Sequence, residues 1–145
     1  RWTFDLNGAS DAIKETKLDD LDGEFPRVDP RVETLKHRHG WYAADPTFSG
    51  TIRQCAIAHM DLQTGKRQVY ELNGGDLTSE PVFVPRSADA PEGDGWLTAT
   101  IYRAAEDRTD LAIFEAQDVA KGPIAIAEVP RRVPFGFHGN WAAID

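Results

Sequence analysis

Gly95-Trp96-Leu97-Thr98-Ala99-Thr100-Ile101-Tyr102-Arg103 is the most regular stretch of the chain: Trp96, Thr98, Thr100 and Tyr102 alternate with Leu97, Ala99 and Ile101. Successive side chains of an extended strand point to opposite faces, so a period of two built from β-branched and aromatic residues predicts a strand with two distinct faces. The same period runs outward in both directions. Toward the C-terminus it continues through 111–115 and 124–129, separated by 117–122, which offers a single helical turn at most. Toward the N-terminus it appears at 80–85, 67–72, 51–61, 39–44, 24–28, 13–18 and 1–6. In 51–61, Ile57 falls on one face and Ala56, Ala58 and Met60 on the other. Asn7-Gly8 is a two-residue hairpin signal, expected to fold 13–18 back onto a half-buried Trp2/Phe4/Leu6 face. Gly65 in Asp61–Lys66 sits where a hairpin bulge needs positive φ. A 3.6-residue period appears over no useful length, and the fold class is all-β.

Composition bounds the function classes. At 145 residues, 41% hydrophobic and 28% charged, the chain has the make-up of one ordinary globular domain. A formal charge of −8 argues against nucleic acid, whose phosphates require a basic face, and against an electrostatic membrane patch. Cys55 is the single cysteine, so no internal disulfide is possible, which fits a reducing, cytoplasmic setting. No apolar run approaches the ~20 residues of a membrane-spanning helix. The opening Arg1-Trp2-Thr3-Phe4-Asp5-Leu6 already alternates, so the chain is expected to be part of a longer protein.

The order of the strands is more informative than their number. One short strand and a three-strand meander follow Glu24, and the same sequence of elements follows Glu80. Then comes Val133-Pro134-Phe135-Gly136-Phe137-His138-Gly139-Asn140-Trp141, an uncharged stretch expected to be a buried strand, because burying Phe135, Phe137 and Trp141 is worth roughly 1.5–3 kcal/mol each. Glu24, Glu80 and His138 recur at intervals of 56 and 58 residues. A period near 57, each unit one short strand plus a meander, is the sequence form of a β-propeller blade, whose first strand lines the central channel. Two carboxylates and one histidine would then converge on the axis. A carboxylate buried there costs several kcal/mol unless paired. One natural partner is the second ring nitrogen of a metal-bound imidazole; the other is a set of backbone amides, in a polar plug without metal.

At these residues the sequence resembles the carotenoid cleavage oxygenases, the family of the retinal-pigment isomerase and the bacterial stilbene-cleaving dioxygenases. The resemblance runs through residues 1–6, Glu24-Phe25-Pro26-Arg27-Val28-Asp29, Asp61-Leu62-x-Thr64-Gly65, Ser79-Glu80-Pro81-Val82-Phe83-Val84-Pro85-Arg86, Asp94-Gly95-Trp96-Leu97, Asp118-Val119-Ala120-x-Gly122-Pro123 and Val133–Gly139. It implies a seven-bladed propeller with non-haem Fe(II) held on its axis by four histidines. His138 would be the last iron ligand, and Glu24 and Glu80 the outer carboxylates that orient iron-bound histidines. The other three ligands would lie on upstream blades outside this chain. The implied division is 1–23, outer strands of one blade; 24–79 and 80–132, two blades; 133–145, the inner strand of the next. The implied reaction is O2-dependent cleavage of a conjugated C=C bond in a carotenoid, apocarotenoid or stilbene, giving two carbonyl products. Any peripheral membrane contact would come through segments outside the chain. The alternative is a non-catalytic propeller, a binding platform with a structural polar axis.

His39-Gly40-Trp41 departs from the family, which more often has an aromatic residue before the glycine. His37, His39 and His59 match no ligand motif; the first two are expected as polar residues where a loop enters a strand, and His59 as an outer-strand residue pointing away from the axis. Cys55 is expected as a small buried apolar group, Arg131-Arg132 as a solvated bend, and the four tryptophans as packing residues on separate strands.

Overall fold

The structure, a computed structural model, describes residues 1–8, 13–47, 50 and 53–143. Its strands are β1 (Trp2–Thr3), β2 (Lys14–Glu15), β3 (Asp22–Arg27), β4 (His39–Asp45), β5 (Ala56–Asp61), β6 (Lys66–Glu71), β7 (Leu77–Thr78), β8 (Val82–Pro85), β9 (Gly95–Arg103), β10 (Arg108–Glu115) and β11 (Ala125–Val129). The only helical pieces among the described residues are single 3₁₀ turns at Pro30–Val32 and Val119–Lys121. The chain is all-β and every strand pair is antiparallel.

Two larger sheets carry the fold. One is the meander β3-β4-β5-β6; in the other β11, β10 and β9 are consecutive neighbours, and both β7 and β8 pair with the far edge of β9. The alternation in 95–103 holds: Leu97, Ala99 and Ile101 are buried, and Trp96, Thr98, Thr100 and Tyr102 are half-buried. Leu97, Ala99 and Ile101 join Ala112, Phe114, Ala116 and Val119 in a core that also takes Trp41 and Ile57 from the first sheet and Phe83 from β8. This core therefore lies between the two sheets. The other face of the first sheet buries Ala44, Ala56 and Ala58 under Leu21, Tyr42 and Val69. Ile57 and Ala56/Ala58 thus separate onto two faces as the period requires. Gly65 has φ 71 and its N–H closes the turn on the Asp61 carbonyl at 2.8 Å.

Three expectations need correction. β1 does pair with β2, Trp2 opposite Glu15, but Trp2, Phe4 and Leu6 are exposed rather than half-buried. A two-stranded ribbon has no apolar face of its own to close over, and among the described residues no sheet lies against it. β5 begins at Ala56, not 51; positions 51 and 52 lie outside the described residues. The stretch 133–141 is extended but belongs to no sheet, with Phe137 78% exposed. An extended segment becomes a strand only through a ladder partner, and none of the described strands pairs with it. Two points still hold it down: the Val133 N–H donates to Thr109 Oγ1 at 2.9 Å, and Phe135 meets Tyr102 edge-on while the Arg132 guanidinium lies over both rings.

Candidate metal centre

Glu80 sits between β7 and β8, in a break where Pro81 has no N–H to continue the ladder. The side chain is only 4% exposed and both of its oxygens are directed at neighbours. Oε1 lies 3.2 Å from His138 Nδ1, and Oε2 accepts from the Gly139 N–H at 2.9 Å and from Arg27 Nη1 at 3.2 Å. The other Arg27 nitrogen, Nη2, donates to Asn140 Oδ1 at 2.7 Å. Phe25 meets the His138 ring edge-on, centroids 5.6 Å apart. Glu80 and His138 therefore do converge, with the hydrogen bond that a metal-ligating imidazole makes through its second nitrogen. The register that sets this up is the 58-residue interval between them.

Glu24 is different. It lies on β3 opposite Ala43, is exposed, and its carboxylate forms no hydrogen bond or ion pair among the described residues. Phe25, Arg27 and Asn140 were not among the expected site residues. The signal that points to Arg27 is local: Pro26 interrupts the ladder of β3, and the register between Glu24 and Arg27 shifts by one residue.

With Nδ1 engaged on Glu80, the free donor atom of His138 is Nε2, on a side chain 68% exposed. That chemistry fits one corner of a metal site: a neutral imidazole, tautomer set by a carboxylate, presenting its other nitrogen. Among the described residues no group of three or more His, Cys, Asp or Glu could hold an ion. The cavity beside this corner, about 360 Å³, is bounded by Glu80, Val82, Thr98, Leu111, Phe137 and Trp141. Apolar side chains supply most of its surface, with Thr98 and Thr100 of β9 beside them, which suits a hydrophobic ligand better than an ionic one.

Two of the other three histidines form a separate cluster, while His37 lies apart with Nδ1 3.1 Å from the Leu35 carbonyl oxygen. His39 and His59 are both buried in the face of β4 and β5 that meets the second sheet, with His39 Nδ1 and His59 Nε2 2.9 Å apart. Both rings stack on Trp41, which stacks in turn on Phe83. His39 thus opens β4 as expected, but as a buried core group. His59 Nδ1 is buried without a hydrogen-bond partner among the described residues. Burial pushes the His59 imidazole down to about 4, reinforced by His39 and opposed by Asp61. A histidine that binds its proton less well folded than unfolded contributes stability above the unfolded value near 6.5, and that stability is lost as pH falls toward 4. The expected loss is about 3 kcal/mol between pH 7 and pH 4. Chemical-denaturation midpoints should show this slope, and His59→Gln, which keeps a partner for His39, should flatten it. Cys55 is half-buried rather than a core group; its thiol donates to Asp45 Oδ1 at 3.5 Å, and burial pushes its ionisation up.

The family described as "Retinal pigment epithelial membrane protein" matches residues 1–143. The chain belongs to that family. It is the carotenoid cleavage oxygenase family, and the chain covers a fraction of its larger members. Among curated relatives, lignostilbene-α,β-dioxygenase isozyme III of Sphingomonas paucimobilis is 36% identical over 98% of this chain and 31% of its own length. Among solved structures, the Pseudomonas brassicacearum lignostilbene dioxygenase superimposes with a TM-score of 0.87 at 37% identity, covering 97% of this chain and 31% of that one. The cobalt-substituted apocarotenoid oxygenase of Synechocystis does so with a TM-score of 0.90 at 30% identity, over 99% and 29%. The chain thus spans about a third of the length of the family members it matches.

Proposed function

We propose that this chain is the part of a non-haem Fe(II) dioxygenase that supplies His138 as one iron ligand and Glu80 as the carboxylate orienting it. On this reading the sheets β3–β6 and β7–β11 are consecutive blades of a seven-bladed propeller, and the remaining three histidine ligands come from other blades of the same protein. The observation that carries the proposal is the Glu80–His138 hydrogen bond: a buried carboxylate engages Nδ1 and leaves Nε2 as the free donor. Glu24, exposed here, is assigned the same orienting role toward a ligand outside the chain. Bound iron would supply the site at which O2 is held and activated. This chain's own residues do the rest: Glu80 and Gly139 hold the imidazole in one tautomer, and Val82, Leu111, Phe137 and Trp141 present apolar surface to the substrate.

The substrate class follows the relatives. Of the relatives at 36–37% identity, two are described by their action on lignostilbene and one as an isoeugenol monooxygenase, and an apocarotenoid oxygenase stands at 30%. A conjugated stilbene is therefore the first choice and an apocarotenoid the second. In the balanced reaction one C=C bond and one O2 are consumed and two carbonyl compounds form, each keeping one oxygen atom. The full-length protein loaded with Fe(II) should consume O2 and a hydroxystilbene in a 1:1 ratio, give two aldehydes, and stop when a chelator removes the metal. Absence of bound iron, or cleavage of neither a stilbene nor an apocarotenoid, would contradict the assignment.

A further inference from the structure

β3 carries an irregularity whose consequence reaches His138. Between Glu24 and Arg27 it holds one residue more than β4, where Ala43 and Trp41 stand opposite them. On a regular strand, residues three apart point to opposite faces; the extra residue brings Glu24 and Arg27 to the same face, the one carrying Trp41 and turned to the second sheet. The insertion is absorbed at Phe25, whose φ is 55. That left-handed conformation is unfavourable for a bulky aromatic residue and persists only where its surroundings enforce it. Both ends of the distortion finish at one place. The Phe25 ring abuts His138 edge-on, and the Arg27 guanidinium spans Glu80 Oε2 and Asn140 Oδ1, one residue on each side of the Glu80–His138–Gly139 contact.

We propose that Arg27 is a positioning residue for His138. Its planar fork joins three segments that are remote in sequence: β3, the Glu80 break, and the 138–140 stretch. A carboxylate anchored at Oε2 by both Arg27 and the Gly139 N–H cannot swing, so Oε1 fixes the direction of the imidazole. Asn140 closes the same bridge from the far side of His138, and Phe25 limits rotation of the ring. Without the bulge Arg27 would point to the opposite face of β3, away from Glu80, which gives the strained Phe25 a purpose that packing alone does not. Because 138–140 belongs to no sheet, side-chain bridges of this kind, with the Gly139–Glu80 contact, hold it in place.

This proposal rests on the reading of His138 as a metal ligand, and the test separates the two. The full-length protein is loaded with Co(II), whose visible absorption reports ligand geometry, and release to a chelator is timed. Arg27→Lys, which keeps the charge but reaches one acceptor at a time, and Asn140→Ala, which removes the second acceptor, are each expected to release Co(II) about tenfold faster. Both should shift the visible bands while leaving the melting temperature of the metal-free protein near that of the parent. The double variant should release no faster than either single one, because both changes break one bridge. Parental release rates and spectra in both variants, or fully additive effects, would overturn the clamp while the metal-ligand reading stands. Co(II) binding indifferent to His138→Ala would overturn both. Asn140→Ala alone decides the matter if Arg27→Lys does not fold.

Discussion

The His138→Ala variant of the full-length protein is expected to purify without stoichiometric iron. Loss of a ligand should exceed the ~10–100-fold fall in affinity that follows removal of an outer hydrogen-bonding partner. The reason the effect is cleanly readable lies in the surroundings of His138. Glu80 keeps Arg27 and the Gly139 N–H after the change, so no buried charge is stranded. The metal-free variant should therefore unfold near the temperature of the metal-free parent. Metal analysis and thermal unfolding of the same preparation separate lost iron from lost fold. Iron that remains stoichiometric in His138→Ala would contradict the assignment of the ligand.

Trp41→Ala should be among the most damaging single changes in the core. Trp41 is fully buried, its ring stacks on Phe83 of the second sheet with centroids 4.9 Å apart and planes within 10°, and its Nε1 donates to the Ala116 carbonyl at 2.7 Å. One side chain thus joins the two sheets by dispersion and by a hydrogen bond, and supports the His39–His59 pair from its side. Truncation leaves a large cavity and an unpaired buried carbonyl; the expected cost is about 3–5 kcal/mol. Trp41→Phe keeps the stack and loses the hydrogen bond, and should cost about 1–3 kcal/mol. Denaturant midpoints for the two variants should differ by that margin. Equal midpoints would mean that the hydrogen bond and the cavity count for less than the geometry implies.

The alternating stretches were legible because a strand's period is local: Gly95–Arg103, Ala56–Asp61 and the Gly65 turn carry their own pattern and fold as that pattern requires. Spacing led to the expectation that Glu24, Glu80 and His138 converge, since repeated units of similar length bring equivalent positions to equivalent places; the structure brings Glu80 to His138 and leaves Glu24 exposed and apart. The 133–141 stretch pairs with none of the described strands, because hydrophobicity records what a segment can bury, not which strand stands beside it. Trp2, Phe4 and Leu6 failed for the same reason. The start of a strand at His39 was legible, but its burial was not, because a polar side chain entering a strand says nothing of the second sheet that closes over it.

The sequence by itself determined the all-β class, the faces of the longer strands and the repeat that relates Glu80 to His138, but not which of the two carboxylates meets that histidine. The tertiary structure alone decided that Arg27 joins Glu80 beside His138. Its direction depends on one extra residue in β3 and on a strained φ at Phe25, and its acceptors lie 53 and 113 residues away in the chain. No local pattern encodes contacts at such separations; they exist only once both sheets have closed around the Trp41–Phe83 core.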